Sequence, residues 1–242
     1  MNTWLKDIRY GWRGLWKRPL VTLTVAATLA LGLGANAAIF NLIDRLVLRP
    51  FSFADPDRVV MLAETGRGLQ FKTESVSPAN FLDWRAQADS LASLSAANWW
   101  DANLLERNDP ERVQGFRVSA GFFDALGVRP PLGRAFVRDD ETFGRHHVVV
   151  LSDVLWKRRF GGDPSIVGRS VTIDGEPYQV IGIAPPRFNF PDGAALRAPL
   201  AFDPGVAPRR DQHYLTVVGR IAPGRRFADA SAQMNAVAAP LA

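Results

Sequence analysis

Cysteine is absent from the 242 residues, so disulfides and thiolate chemistry are excluded. The formal charge of +5 is concentrated at the start: Lys6, Arg9, Arg13, Lys17 and Arg18 oppose only Asp7, a net +4 that leaves +1 for the other 224 residues. A folded part so nearly neutral lacks the basic face a nucleic-acid groove requires, and no nucleic-acid partner is expected.

Residues 1–18 place Trp4, Leu5, Ile8, Trp12, Leu15 and Trp16 at spacings of three and four, among the basic side chains. This pattern predicts an amphipathic helix lying in the headgroup layer, with Trp4, Trp12 and Trp16 as interfacial anchors. A soluble helix packed on a partner protein is the other reading of the same pattern. From Pro19 to Ile43 the chain carries no charge. A bilayer core about 30 Å thick is crossed by a helix of roughly 20 apolar residues, so a transmembrane helix is expected, within 19–47. The basic flank assigns the N-terminus to the cytoplasm and residues 50–242 to the outside of the membrane. The motif Ala35-Asn36-Ala37 before Ala38 also fits a cleaved signal peptide, but the apolar run continues through Ile39, Phe40, Leu42 and Ile43. Ala26, Ala30, Gly34 and Ala38 form a small-residue stripe that permits close helix packing, and Asn36 is placed to bond another helix. Small residues are also common in any membrane helix, so the stripe permits a homodimer without requiring one.

Residues 50–242 contain no second long apolar run. After Arg49-Pro50 and Asp55-Pro56, the run Arg58–Glu64 predicts a strand. Ser77-Pro78 predicts a helix start, and Phe81, Trp84, Ala88, Leu91 and Leu94 extend it at helical spacing. Between Ala96 and Val118 short strands are expected, with a turn at Asn108-Asp109-Pro110. The adjacent Trp99 and Trp100 read either as a ligand-stacking surface or as one buried and one edge-exposed ring. Ser119 is expected to cap a short helix bearing Phe122, Phe123 and Leu126, ended by Gly127. His147–Leu151 predicts a strand, and Ser152 a cap for Asp153–Phe160, which Gly161-Gly162 stops. Arg169–Asp174 and Tyr178–Ile183 flank Asp174-Gly175, the clearest hairpin signal in the chain. Leu196–Phe202 is a possible strand. His213–Ile221 predicts another, with Leu215, Val217 and Ile221 on one face, and Phe227, Ala230, Met234, Val237 and Leu241 mark a final helix.

This last strand–turn–helix echoes the first. The fold class is therefore α+β: one N-terminal transmembrane helix, then an extracytoplasmic domain of two subdomains. A split β-α-β repeat occupies 58–95 and 211–242, and a β-rich insertion occupies 96–210. A β-α unit normally returns to its sheet, so the chain reads as cut short after its last helix.

Catalytic patterns are missing. There is no G-x-x-x-x-G-K-[ST] loop, no G-x-S-x-G elbow and no H-E-x-x-H. His146 and His147 are expected on opposite faces of a strand, far in sequence from His213, which argues against a metal site. Asp139-Asp140-Glu141 reads as a solvated turn sooner than a cation site. No catalytic, cofactor-binding or metal-ligating residue is assigned, and no enzyme is expected.

Several phrases in order resemble the start of MacB/FtsX-like ABC transporter permeases of the long orphan-permease group. They are Leu31-Gly-Leu-Gly-Ala-Asn-Ala-Ala-Ile-Phe40, Leu48-Arg49-Pro50, Asp55-Pro56-Asp57-Arg58 and Ser77-Pro-Ala-Asn-Phe-Leu-Asp-Trp84. Further on stand Ser119-Ala-Gly-Phe-Phe-Asp-Ala-Leu-Gly127, Leu151-Ser-Asp-Val-Leu-Trp156, Phe160-Gly-Gly-Asp-Pro-Ser-Ile-Val-Gly168 and Val218-Gly-Arg-Ile-Ala-Pro-Gly224. The resemblance implies a MacB-like periplasmic core domain over 50–242, a plasma-membrane location and a separate cytoplasmic ABC ATPase as partner. It also implies three later membrane helices, which these residues do not contain, so the chain reads as the N-terminal part of a permease. Efflux or mechanotransmission would be its output. The alternative is a single-pass anchored sensor or adaptor with an extracytoplasmic domain. An anchored hydrolase has no residue constellation behind it.

Overall fold

The computed structural model describes residues 18–43, 53–64, 75–106 and 109–241. The chain divides into two units, Met1–Pro50 and Phe51–Ala242.

In the first unit, α1 (Pro19–Ile43) is a continuous helix of 25 residues with no charged side chain. At 1.5 Å per residue it is about 37 Å long. Its threonines hide their hydroxyls against the backbone: Thr22, Thr24 and Thr28 Oγ1 donate to the carbonyls of Arg18, Leu20 and Thr24 at 3.1, 2.9 and 2.8 Å. Among the described residues no helix is long and apolar enough to cross a membrane; the side chains at 25, 35 and 38–43 are not among them. Residues 44–47 of the expected span, and the helix expected over 1–17, lie outside the described residues.

Among the described residues, the second unit is built on one nine-stranded mixed sheet. Its strands are β1 (Val59–Leu62), β2 (Leu91–Glu106), β3 (Asp109–Val118), β4 (Leu132–Gly133), β5 (Val148–Leu151), β6 (Ser170–Ile173), β7 (Glu176–Ile183), β8 (Leu196–Pro199) and β9 (Thr216–Ile221). Their order is β1-β9-β2-β3-β8-β5-β7-β4, and β6 pairs with both β7 and β2. That double pairing closes a ring, β2-β3-β8-β5-β7-β6, through Leu104 opposite Ile173 and Leu105 opposite Thr172. The ring is a six-stranded barrel. Side chains alternate across its wall. Leu104, Val113, Val149, Leu151, Ile173 and Val180 point inward, where Leu155 and Ile166 join them. Phe116, Val150 and Ile181 point outward onto Phe122, Phe123 and Phe188.

On the other side of β2, the strands β1, β9 and β2 form an α/β lobe. β1 and β2 are parallel, because each runs antiparallel to β9 between them. Helices α2 (Pro78–Gln87) and α5 (Phe227–Ala238) cover this sheet, packing Phe81, Trp84 and Ala230 against Leu94, Val217 and Ile221. The two shorter helices are α3 (Phe122–Leu126) and α4 (Asp153–Phe160). One strand serves both lobes: β2 pairs with β9 over 91–97 and with β3 over 97–106, so it runs across the 95/96 division.

Local chemistry explains what matches and what differs. Ser152 accepts a hydrogen bond from Leu155 N at 3.1 Å, and Gly161 ends α4 at φ 64°, as expected. Asp174 and Gly175 both take positive φ, 51° and 84°, the conformation a two-residue hairpin turn demands. The helix begun at Ser77 stops at Gln87, and Leu91 and Leu94 belong to β2. Their spacing of three would place them on opposite faces of a regular strand. A bulge between Leu91 and Ser93 absorbs one residue, and both side chains are buried in the α/β lobe. Cross-strand pairing here overrides local helical spacing. The segment expected as short strands is instead one long hairpin, because the paired register continues unbroken from Ala97 to Glu106. Ser119 does not cap α3, whose N-cap position is Gly121. The Ser119 hydroxyl meets Ser95 Oγ at 2.7 Å and accepts from Ala96 N at 2.9 Å, joining two elements.

Candidate functional site

Where the lobes meet, a cleft of about 470 Å³ opens between α2, the start of β2, α3 and the loop after β4. Arg85, Leu91, Ser93, Asp124, Phe136 and Glu141 line it. Its rim is a charged clasp. Arg85 NH1 donates to both Glu141 oxygens at 3.0 and 2.9 Å, while Ala120 N donates to Oε1 at 2.6 Å. The Arg85 guanidinium also lies 5.1 Å from the centre of the Phe81 ring. Behind the clasp, Asp140 accepts from Arg134 NH1 at 2.6 Å and NH2 at 3.0 Å, and from Val137 N at 2.8 Å. Burial raises the Asp140 pKa, but Arg134 and the Val137 amide outweigh it and hold the carboxyl below its usual value. The acidic cluster is thus not a solvated turn: two of its three carboxylates anchor the loop, and only Asp139 faces outward.

Removing the clasp should loosen the cleft. Arg85→Met, Glu141→Gln and the double variant are expected to show a coupling of about 1 kcal/mol in urea unfolding of the full chain in detergent, since the pair is half-buried and shares an amide donor. A coupling near zero would make the clasp an incidental surface pair.

A second polar cluster joins β1 to α2. Glu64 Oε1 accepts from Ser77 N at 2.7 Å and Ser77 Oγ at 3.1 Å, and Oε2 lies 2.7 Å from His213 Nε2. Serine, histidine and carboxylate are all present, but the carboxylate stands between the other two. A nucleophilic hydroxyl needs the imidazole directly on it. Ser77 is instead fully buried and accepts from Asn80 N at 3.4 Å as the helix cap. Arg210 adds bonds to Asn80 and, at 2.6 Å, to Asp83, which pins the first turns of α2 to the loop before β9.

Of the other candidates read from the sequence, Trp99 is exposed, edge-on to Phe116 at 5.6 Å. Trp100 is half-buried at the barrel mouth, under Arg117 at 4.2 Å, and donates to Asp174 Oδ2 at 2.8 Å. That bond ties the long hairpin to the turn of the short one. His146 and His147 precede β5, and outside a strand their rings are not forced apart; the centroids lie 4.4 Å from each other. Burial, His147 and Arg117 lower the His146 pKa. Among the described residues, no group of three or more His, Asp or Glu side chains could hold a metal ion. Ala26, Ala30 and Gly34 lie on one exposed face of α1; the side chain of Ala38, and Trp4, Trp12 and Trp16, lie outside the described residues.

Sequence reading missed the buried arginines. Arg197, on β8, is fully buried, donating from Nε and NH2 to Phe190 O at 3.0 and 2.6 Å with its charge 4.6 Å from the Phe188 ring centre. Arg220, on β9, donates to Ala125 O at 2.9 Å and Ala54 O at 2.6 Å. Each sits inside an otherwise apolar run, and that interruption is the signal that could have marked them.

The family model described as MacB-like periplasmic core domain matches residues 22–237. The chain is similar to the periplasmic region of MacB from Actinobacillus actinomycetemcomitans, with a TM-score of 0.57 and 16% identity over 76% of this chain and 83% of that one. It is similar to the extracellular domain of the noncanonic ABC-type transporter YknZ from Gram-positive bacteria, with a TM-score of 0.53 and 14% identity over 74% and 93% of the two chains. A permease domain from Porphyromonas gingivalis gives a TM-score of 0.53 and 17% identity over 76% and 83%. At these identities the likeness is one of fold. No curated protein matches.

Proposed function

The chain belongs to the MacB-like periplasmic core domain family, and on that premise we propose that it is the domain-bearing N-terminal part of an ABC transporter permease. In this reading α1 crosses the plasma membrane, residues 1–18 stay in the cytoplasm with Trp4, Trp12 and Trp16 at the lipid surface, and residues 50–242 stand outside. A separate cytoplasmic ABC ATPase supplies the energy. The chain itself carries no nucleotide-binding loop and does no chemistry, and the output is efflux or mechanical transmission through the outer domain. The stripe Ala26, Ala30, Gly34 and Ala38 packs α1 against another membrane helix, of a second copy or of the same permease.

The observation that supports this most is the reach of the family match, which begins inside α1 and runs through both lobes to α5. The test is topology. A tag placed after Ala242 is expected to be digested by protease added outside spheroplasts and to be unreactive to cytoplasmic biotinylation. A tag protected from external protease and labelled from the cytoplasm would overturn the reading.

A further inference from the structure

Two charged side chains in the cleft between the lobes have no partner among the described residues. The loop after β4 carries three arginines between 134 and 145. Arg134 pairs with Asp140 and Arg145 with Asp139, but Arg138, which lines the cleft, pairs with no carboxylate. Asp124, in the first turn of α3, lines the same cleft and accepts from no basic side chain. The two are not paired with each other.

A third polar group is short of a partner. Ser93 Oγ is buried and makes no hydrogen bond. It stands where β2 bulges: Leu91 faces Ile221 and Ser93 faces Arg220, so Ala92 has no opposite residue in β9. Ala92 and Ser93 both line the cleft, together with the apolar Leu91 and Phe136.

A volume of about 470 Å³ falls within the range of small-molecule sites. The charges then select what fits. A purely anionic ligand would meet Asp124, and a purely cationic one Arg138. A ligand with one charge of each sign satisfies both groups. It also leaves the clasp intact, because Arg85 and Glu141 already neutralise each other.

We propose that the cleft binds a small zwitterion, its carboxylate held by Arg138, its ammonium by Asp124 and an apolar side chain laid against Leu91 and Phe136. A planar guanidinium suits the carboxylate, since it donates two parallel hydrogen bonds. This is the chemistry of a free apolar amino acid, and equally of the two ends of a short peptide. The site does not rest on the transport reading, because it is complete within residues 85–141.

Isothermal titration of the full chain in detergent tests it, with leucine and Leu-Leu as probes, each free, N-acetylated and C-amidated. A free probe is expected to bind with a Kd of about 1 mM or tighter, and whichever binds better tells the amino acid from the peptide. Capping either end should weaken that binding about tenfold, the cost of one hydrogen bond to a charged group. Two variants assign the ends. In Arg138→Gln the free and amidated probes should bind alike; in Asp124→Asn the free and acetylated probes should. Both side chains are exposed and unpaired, so neither change should move the urea midpoint. Failure of both free probes to bind would overturn the proposal, as would capping penalties that persist in both variants. So would uptake that capping strengthens, the mark of an adventitious partition into the micelle. The topology of the Ala242 tag is unaffected by any of these results, which keeps the two tests separate.

Discussion

Replacing Arg197 by alanine is expected to destabilise the outer domain by about 3–5 kcal/mol, whereas Arg197→Met should stay within about 2 kcal/mol of the parent. Alanine leaves a cavity between Phe116, Val150 and Phe188 and strips the Phe190 carbonyl of both its donors. Methionine fills much of the volume and removes a charge that has no carboxylate partner, so the lost hydrogen bonds are set against a lost desolvation penalty. Burial lowers the Arg197 pKa to about 9, well below the ordinary guanidinium value it has in the unfolded chain. The sign comes from proton binding: between those two values the unfolded chain holds more protons than the folded one, so stability from this group rises with pH. Below about 9 the cost of the buried charge is carried in full. Urea midpoints of the parent and of Arg197→Met, measured in detergent at pH 7.5 and pH 10, should therefore shift in the parent's favour at the higher pH. A difference that does not move with pH would mean the guanidinium is better solvated than its surroundings allow.

Gly133→Ala should cost about 3 kcal/mol or more and open the loop that walls the cleft. Gly133 has φ 79°, and a Cβ there would stand 2.1 Å from the Ile181 carbonyl oxygen and 2.7 Å from Gly182 Cα. Both obstacles are backbone, so no rotamer change relieves them. Gly182, its partner across the ladder, is equally crowded, with a Cβ position 2.6 Å from Arg134 O. The β4–β7 contact is thus a glycine-on-glycine approach, and separating it carries away Arg134, Asp140 and Glu141 together. Gly144→Ala is the control, because Gly144 has φ 87° but open space around it. It should show backbone strain alone, about 1–2 kcal/mol. Urea unfolding of both variants measures the contrast; equal losses would show that the β4–β7 contact relaxes.

Elements whose signal is local were legible in the sequence. The Asp174-Gly175 turn, the Ser152 cap and the Gly127 and Gly161 stops each arise from one or two residues with a specific conformational demand. In the structure β1 with α2 and β9 with α5 carry the same strand–helix pattern. What did not show depends on distant partners. Nothing in Leu104 or Ile173 says that they meet across 69 residues to close a barrel, and the parallel place of β8 beside β3 is equally silent. Leu91 and Leu94 fit a helix until a bulge puts them on one face of a strand. The cleft was hidden for the same reason: Arg85 and Glu141 are ordinary surface residues by type, and only the fold sets them together.

The shared strand has a mechanical consequence. At about 3.3 Å per residue, the 16 residues of β2 make a stave roughly 50 Å long. It contains no loop at which one lobe could pivot freely. A tilt applied to the first half is therefore expected to displace the barrel wall, to which the Trp100–Asp174 bond ties the short hairpin. The two lobes are thus joined by an unbroken stretch of strand and not by a linker.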